Sequence, residues 1–246
     1  GGAKAFWITV AMFGARSAAL GLNRIIDRHI DARNPRTRDR ELPAGRLSLG
    51  EAWAFTLACL GLLTLAAWRL NPLCLKLVPV AVAALVAYPY AKRFTWTCHY
   101  WMVPAQAFAP LGGWIAVTGR FELAPVLLGL AVGLWIAGFD ILYALQDLEF
   151  DRSSGLHSLP ASLGVPAALL VSRLTHVAVV GLLAALAAVA GLGAPFYAAL
   201  ALAALLLAYQ HSLVSPRDLS AAARAFNVNL AVGPLLFLGI VADVLA

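Results

Sequence analysis

The sequence predicts an all-α membrane protein, a polytopic bundle of eight transmembrane helices. Hydrophobic residues make up 62% of the 246-residue chain and charged residues 12%, whereas soluble domains carry about 25% charged residues. Eight apolar stretches approach the roughly 20 residues that span a bilayer as a helix. Their Leu, Ala and Val runs lack the alternation of barrel strands, so helices are the expected secondary structure.

Each predicted span follows from an uninterrupted apolar run, and polar segments separate the runs. The spans are residues 4–23, 49–69, 72–91, 99–118, 123–143, 165–190, 194–214 and 224–245. Counted in order, the even-numbered loops are short: "RLNP", "GRFEL" and "GLGAP". Longer polar segments lie in the odd-numbered loops, over residues 23–48, 88–99 and 140–164. We predict one membrane domain over residues 1–246, with these three segments as its motif loops.

Basic residues concentrate in the odd-numbered loops, which sets the expected orientation. The odd loops contain Arg24, Arg28, Arg33, Arg36, Arg38, Arg40, Arg46, Lys92, Arg93, Arg152, Arg217 and Arg224. The even loops offer little more than Arg69 and Arg120. The positive-inside rule therefore places the odd loops in the cytoplasm. The net charge of +6 is explained by this topology, and we expect membrane lipid, not nucleic acid, as a partner.

Two sets of acidic residues stand at the cytoplasmic ends of predicted helices. Asn23, Asp27 and Asp31 are four residues apart in "NRIIDRHID", so they share one face of a helix. In "DILYALQDLEFD", Asp147 and Asp151 are four apart and Asp140 lies seven before Asp147, with Tyr143 between. Like charges at such spacings destabilise a helix, so a function is expected to offset the cost.

A solvated helix end would explain one such set, but two sets on one side favour metal binding. Carboxylate and amide oxygens suit a hard ion such as Mg²⁺, which proteins hold with a few carboxylates together with substrate phosphates. Lys92 and Arg93 lie between the two sets in sequence and can bind the remaining phosphate oxygens. A substrate with a diphosphate head and a hydrocarbon tail fits this position at the membrane boundary.

The two motifs resemble the aspartate-rich motifs of the UbiA-type intramembrane aromatic prenyltransferases. The likeness extends to "NPRTRDRELPAG", "YPYAKR", "APLGGWIAVTG" and "GLHSLPASLG". The flanks are most similar to the prokaryotic 4-hydroxybenzoate polyprenyltransferase-like branch of quinone synthesis. The resemblance implies nine helices around a central cavity that opens laterally to lipid. Because the first motif here follows the first helix and not the second, we expect the family's first helix to be missing from this chain.

The resemblance also implies roles for individual residues. The resemblance implies that two Mg²⁺ ions bind together with the diphosphate. Asn23, Asp27 and Asp31 would hold one ion, and Asp147 and Asp151 would hold the other. Contacts to the diphosphate are implied for Lys92, Arg93 and Arg28 or Arg24. Asp140 and Tyr143 are expected to line the cavity near the reacting carbon. The motif departs from some members at Arg24, where they carry another Asp, and His157 replaces a common Lys, which puts a phosphate contact there in doubt.

The implied reaction begins with ionisation of an allylic prenyl diphosphate. The metal ions and basic residues stabilise the charge on the leaving oxygen, and a cavity without water protects the carbocation until an aromatic acceptor adds. The ring of Tyr143 can stabilise the cation; an ordinary interfacial tyrosine is the alternative. Arg16 is costly in a membrane helix. It matches a family arginine and predicts a carboxylate on the acceptor, such as 4-hydroxybenzoate; an arginine paired with an acid or with backbone carbonyls is the alternative.

Three other interpretations agree less well with the sequence. The five histidines show no metal-binding motif, and we expect each to be an interfacial or packing residue. A CDP-alcohol phosphotransferase-like enzyme is disfavoured because the chain has no Asp-Gly pair. A secondary transporter would carry its ionisable residues near the midplane of broken helices, whereas these acids stand at helix ends. The identity of the aromatic acceptor, the prenyl chain length, the proton acceptor and the oligomeric state stay open.

Overall fold

A computed structural model describes residues 1–245, which are helical over most of their length. The ten α-helices are α1 (Gly2–Asp31), α2 (Leu49–Leu70), α3 (Pro72–Ala91), α4 (Met102–Thr118), α5 (Leu123–Ala144), α6 (Leu148–Ser153), α7 (Leu159–Leu163), α8 (Val165–Ala190), α9 (Ala194–Ser212) and α10 (Ala222–Leu245). Two 3₁₀ turns, Trp96–Trp101 and Leu145–Asp147, precede α4 and α6. In residues 1–245 there is no β-strand, and the extended pairing is limited to one isolated bridge between Ser215 and Asp218.

The predicted all-α membrane architecture is confirmed. Each of the eight predicted spans coincides with one long helix: α1 to α5 and α8 to α10. Seven stretches are long and apolar enough to cross a membrane by themselves, and α5 together with its continuation to Ser153 is one of them. The eighth long helix, α4, has 17 residues. The chain is an integral, multi-pass membrane protein.

The helices form two compact units, which are described separately. The first unit contains Gly1–Ala91 and Phe108–Phe121, and therefore α1, α2, α3 and the second half of α4. The second unit contains Lys92–Ala107 and the chain from Glu122 onward, and therefore all the other elements.

Close packing of α1 on α2 organises the first unit. A Cβ atom on Gly14 would lie 2.8 Å from the carbonyl oxygen of Cys59 and 2.9 Å from the backbone nitrogen of Leu63. Glycine is therefore required for this approach of the two helices, as is common between membrane helices. At 30 residues α1 is about 45 Å long, which exceeds the roughly 30 Å hydrocarbon core. Its last turns can thus extend past the membrane and carry polar groups.

The segment between α1 and α2 folds back on itself in successive turns. Ser48 caps α2 by accepting a hydrogen bond from the backbone N–H of Glu51, while the carboxylate of Glu51 accepts from the N–H of Ser48. This capping box satisfies two of the N–H groups that a helix start leaves without intrahelical partners. The start of α2 is therefore fixed, and the 17-residue connection after α1 has a defined end.

In the second unit, α5 is the central helix. Gly129 and Gly133 on α5 approach Ala107 and Val103 at the start of α4, and Gly138 approaches the ring of His176 on α8. The buried core between α5, α8 and α9 consists of aliphatic residues and Phe196. An apolar cavity of about 190 Å³ lies among α5, α8, α9 and α10. Small residues on α5 thus let its neighbours come close while its carboxyl end, with Asp140 and Tyr143, leads into the second motif.

Candidate functional site

The first acidic set occupies the last turns of α1 in the first unit. Asp27 and Asp31 are 3% and 4% exposed, and Asn23 is half-buried. The side-chain amide of Asn23 donates to the carboxylate of Asp27 over 3.3 Å, across one helical turn. The predicted face of the helix is therefore present. Buried carboxylates are costly unless a positive charge offsets them.

Arg40 supplies one such charge to Asp31. Its Nη1 atom lies 2.9 Å from both carboxylate oxygens of Asp31. The hydroxyl of Thr37 also donates to the backbone carbonyl of Asp31, over 3.1 Å, which fastens the following loop to the end of α1. Sequence reasoning missed Arg40, because residues 33–46 hold five arginines and only the folded loop selects one of them.

The other arginines of the first motif take different positions. Arg28 donates from Nη1 to the backbone carbonyl of Ile25, 2.9 Å away. Arg24 is half-buried, and Arg16, two turns before Asn23, is exposed. Their predicted contacts with the diphosphate or the acceptor stay predictions.

The second acidic set lies where α5 ends in the second unit. The helix stops at Ala144, a 3₁₀ turn covers Leu145–Asp147, and α6 then carries Asp151. Asp147 has φ −105° and ψ 8°, outside the helical region. Because a 3₁₀ turn advances by three residues, the regular helical face that begins at Asp140 ends before Asp147. Asp151 is 9% exposed, and Asp147 and Lys92 are among its charged neighbours.

His99 links the second acidic set to the segment before α4. Its Nδ1 atom lies 2.7 Å from Oδ2 of Asp140, and the backbone N–H of Leu159 points at its Nε2 atom over 3.3 Å. His99 is 3% exposed, whereas the side chain of Asp140 keeps 34% of its surface exposed. The expectation of a packing or interfacial role is incomplete for His99, because this buried ring also connects α5 to the start of α7.

The charge of Asp140 changes the protonation of His99, which lies outside the long helices. Burial opposes protonation, but the hydrogen bond and negative charge of Asp140, helped by Cys98, raise the pKa of His99 to about 10. The Leu159 N–H acts in the opposite direction, because it needs a lone pair on Nε2. At 3.3 Å against 2.7 Å it is the longer bond, so the upward shift of the pKa prevails.

Two further contacts bring the segment around Lys92 to the loop after α6. The backbone N–H of His157 donates to the carbonyl of Lys92 over 2.8 Å, and the thiol of Cys98 donates to the carbonyl of His157 over 3.5 Å. Lys92 and Arg93 are half-buried. The third and fifth loops, which the topology predicts on one side, are therefore in contact.

Aromatic side chains line one face of α5 next to Asp140. Trp135, Phe139 and Tyr143 are four residues apart, and Phe226 of α10 packs against the last two with ring centroids 5.4 and 4.9 Å away. The indole N–H of Trp135 donates to the side chain of Asn229 over 2.8 Å. Tyr143 is thus part of an aromatic row, which sequence spacing alone did not reveal as a set.

Two other histidines pair deep in the second unit. Nδ1 of His176 on α8 lies 2.9 Å from Nε2 of His211 on α9, and Nε2 of His176 lies 3.2 Å from the carbonyl oxygen of Trp135. Residues 35 positions apart give no pairing signal in sequence. Their expected packing role is therefore incomplete: they also form a hydrogen bond with each other inside the membrane-spanning helices, while Nδ1 of His211 has no partner among the described residues.

The donor chemistry of the two acidic sets fits Mg²⁺. Within residues 1–245, no group of three or more His, Cys, Asp or Glu side chains converges on one metal position. Mg²⁺ does not need such a cage, since it keeps waters and uses substrate phosphates with one or two carboxylates. Asn23, Asp27 and Asp31 offer only oxygen acceptors to a metal, and two of these residues are buried. This arrangement suits an ion that arrives with a phosphate group.

Comparison with known proteins identifies the family. Residues 2–237 match the UbiA prenyltransferase family. The chain belongs to this family. It is 32% identical to a 4-hydroxybenzoate octaprenyltransferase of Providencia stuartii over 94% of the chain and 80% of the relative. The predicted family membership is therefore confirmed, and the chain is a prenyltransferase.

Solved structures of UbiA homologues share the fold. The apo structure of a homologue from Aeropyrum pernix is 37% identical, with a TM-score of 0.88 over 98% of this chain and 90% of that chain. A homologue from Archaeoglobus fulgidus bound to GPP and Mg²⁺ is 19% identical, with a TM-score of 0.68 over 97% and 87% of the two chains. At that identity the second likeness shows the UbiA fold alone.

Proposed function

We propose that this UbiA-family prenyltransferase transfers a polyprenyl group from an allylic prenyl diphosphate to an aromatic acceptor of the 4-hydroxybenzoate class. The product would enter quinone or related lipid synthesis. The observation that carries the proposal is the pair of acidic sets at helix ends, with Asp27, Asp31 and Asp151 buried. The relatives named 4-hydroxybenzoate octaprenyltransferase support the acceptor class.

The first role of the acidic sets is to hold Mg²⁺ together with the diphosphate. Asn23, Asp27 and Asp31 would hold one ion, and Asp147 and Asp151 a second. When bound, Mg²⁺ neutralises charge on the leaving diphosphate. The homologue from Archaeoglobus fulgidus bound to GPP and Mg²⁺ supports this pairing of metal and substrate.

Basic residues of the chain would bind the phosphate oxygens that remain. Lys92 and Arg93 follow α3 directly and are half-buried, so they can offer charge without full desolvation. Arg24 and Arg28 stand on α1 beside the first acidic set. Stabilising the charge that develops on the leaving oxygen lowers the barrier to ionisation, which is electrostatic catalysis.

The aromatic row and Asp140 would act on the allylic carbocation. Trp135, Phe139 and Tyr143 present rings along α5, and ring faces attract cations. Apolar surroundings would exclude water, which would otherwise capture the cation. Asp140 is partly exposed and would lie near the reacting carbon, where its charge favours the cationic transition state.

The acceptor would be bound by its carboxylate. Arg16 is two turns before Asn23 on α1 and exposed, and an arginine in a membrane helix needs an anionic partner. A bidentate guanidinium–carboxylate contact would orient the ring. We place the active site at the cytoplasmic side of a prokaryotic membrane, on the basis of the basic odd-numbered loops.

The test is a product assay on the purified chain in lipid vesicles. The reaction contains geranyl or farnesyl diphosphate, 4-hydroxybenzoate and Mg²⁺, and a parallel reaction contains EDTA. The proposal predicts a prenylated aromatic acid, detected by mass spectrometry, in the first reaction only. Arg16→Gln should raise the KM for 4-hydroxybenzoate more than the KM for the prenyl diphosphate.

Other outcomes would change the assignment in defined ways. Release of diphosphate without a prenylated acid would keep the ionisation chemistry and exclude this acceptor, and naphthoate-type and phenolic acceptors would then be compared. Product formation that EDTA leaves unchanged would contradict the metal-binding role of the acidic sets.

A further inference from the structure

We infer that His99 is a positioning residue, whose imidazole holds the carboxylate of Asp140 in its reactive orientation. The inference rests on the proposed function, in which Asp140 acts on the carbocation. His99 is the last residue of the predicted motif loop over residues 88–99, and only a packing or interfacial role is expected for it from the sequence.

His99 binds one carboxylate oxygen of Asp140 and leaves part of that side chain accessible. His99 Nδ1 lies 2.7 Å from Oδ2 of Asp140, a distance typical of a strong, charge-assisted hydrogen bond. The ring is 3% exposed, while the side chain of Asp140 keeps 34% of its surface exposed. His99 can therefore fix Asp140 from the protein side without covering the surface that would face substrate.

The ring of His99 is itself held in place. Nε2 lies 3.3 Å from the backbone nitrogen of Leu159, the first residue of α7. The next residue, Tyr100, packs against the buried cluster of Ile141, Leu159 and Ala168, and this packing, not the hydroxyl contact with Thr175 on α8, holds the turn. An imidazole bonded at Nδ1 and carried on a packed turn cannot rotate freely, so it restricts the two side-chain torsions of Asp140.

Two effects on the reaction follow from this contact. An N–H donor this close fixes Oδ2 of Asp140, so the side chain presents its carboxylate in one orientation where positive charge would develop. A fixed carboxylate also needs no reorganisation as the transition state forms, which is the condition for effective electrostatic stabilisation. Because His99 contacts Asp140 and not the substrate, its removal should affect turnover more than substrate affinity.

The experiment compares three variants in the vesicle assay. His99→Leu removes the donor at similar volume, His99→Gln keeps an amide N–H donor and a carbonyl acceptor, and Tyr100→Phe removes the neighbouring hydrogen bond to Thr175. We expect His99→Leu to lower kcat about 10- to 100-fold, the range for loss of one hydrogen bond to a charged group. The KM for the prenyl diphosphate should change little. His99→Gln should recover most of the activity, and Tyr100→Phe should retain it.

A double variant distinguishes positioning from a general structural effect. If His99 acts through Asp140, adding His99→Leu to Asp140→Asn should cause no further loss of kcat, because groups that act as a unit are non-additive. Additive losses, or His99→Gln as impaired as His99→Leu, would overturn the inference. Thermal unfolding monitors folding in each case, and His99→Met, which also lacks a donor, replaces His99→Leu if that variant does not fold.

The outcome also separates this inference from the proposed function. Wild-type chain that makes no prenylated product with any acceptor overturns the proposed function, and the role of His99 falls with it. Active wild-type chain together with fully active His99→Leu overturns the role of His99 alone.

Discussion

Arg40 places one guanidinium nitrogen 2.9 Å from each carboxylate oxygen of Asp31. The side chain of Asp31 is 6% exposed and that of Arg40 26%, so the ion pair is shielded but reachable from solvent. The carboxylate that motif spacing predicts as a metal ligand is therefore already charge-balanced by the loop that follows it. Arg40 can stabilise Asp31 when no metal is bound.

Removing that arginine should destabilise the first unit in a metal-dependent way. Arg40→Ala leaves a buried carboxylate without its partner, and we expect a loss of about 1–3 kcal/mol in the free energy of unfolding. Mg²⁺ with inorganic diphosphate should recover part of the loss, because the ion would offset the same charge. Thermal unfolding in detergent, with and without these ligands, measures both effects.

The matched control for Arg40→Ala is Arg38→Ala. Arg38 lies on the same loop with an exposed side chain, and its loss should leave the unfolding temperature unchanged. Equal stability of the two variants would contradict a stabilising role for the Arg40–Asp31 pair. A loss at Arg40 that Mg²⁺ and diphosphate do not reduce would contradict metal binding at Asp31.

The close contact of α1 with α2 predicts that two glycine substitutions differ strongly in their effect on stability. Gly14→Ala would place Cβ 2.8 Å from the carbonyl oxygen of Cys59, so the helices must separate, at a cost of about 1–3 kcal/mol. Gly61→Ala on α2 meets no atom within 4 Å and should be neutral or slightly stabilising. Unfolding temperatures that fall equally for both variants would show that the packing at Gly14 is not limiting.

The raised pKa of His99 predicts that its contribution to the free energy of unfolding depends on pH. Its pKa in the folded chain is raised from 6.5 to about 10, so the stabilisation is fully present below pH 6.5 and is lost as the pH rises towards 10. The charged and titratable groups that act on the ring are Asp140 on α5, Cys98 on the same turn and Asp151 on α6. The stability difference between wild type and His99→Gln should therefore shrink between pH 6.5 and 10. A constant difference across this range would mean that the ring does not titrate there.

The helices and the acidic motifs could be predicted from the sequence because they depend on local patterns. Apolar runs define membrane helices whatever their neighbours, and each of the eight predicted spans coincides with one long helix. The spacing of Asn23, Asp27 and Asp31 defines a helical face without any tertiary contact. The 3₁₀ turn at Leu145–Asp147 was not predicted. A change from i+4 to i+3 hydrogen bonds over one turn does not alter the pattern of apolar residues in the sequence.

The partners of the acidic residues depend on contacts that spacing does not encode. Arg40 was one of several loop arginines, and the return of the loop onto α1 selects it. His99 lies 41 residues before Asp140 in an aromatic-rich segment that resembles an interfacial belt. The pairing of His176 with His211 likewise depends on how α8 packs on α9. Contacts of this kind form only when the fold brings distant segments together, so sequence spacing does not predict them.

The most direct test of the central claim, that the acidic sets hold Mg²⁺ with the diphosphate, is a Mg²⁺ titration of the initial rate of prenyl transfer. Wild type is compared with Asp27→Asn, Asp151→Asn and the control Asp39→Asn, which changes an exposed loop carboxylate. We predict that both motif variants lose at least about 100-fold in rate and need more Mg²⁺ for half-maximal activity, while Asp39→Asn matches wild type. Wild-type activity without divalent metal, or motif variants with an unchanged Mg²⁺ dependence, would contradict the claim.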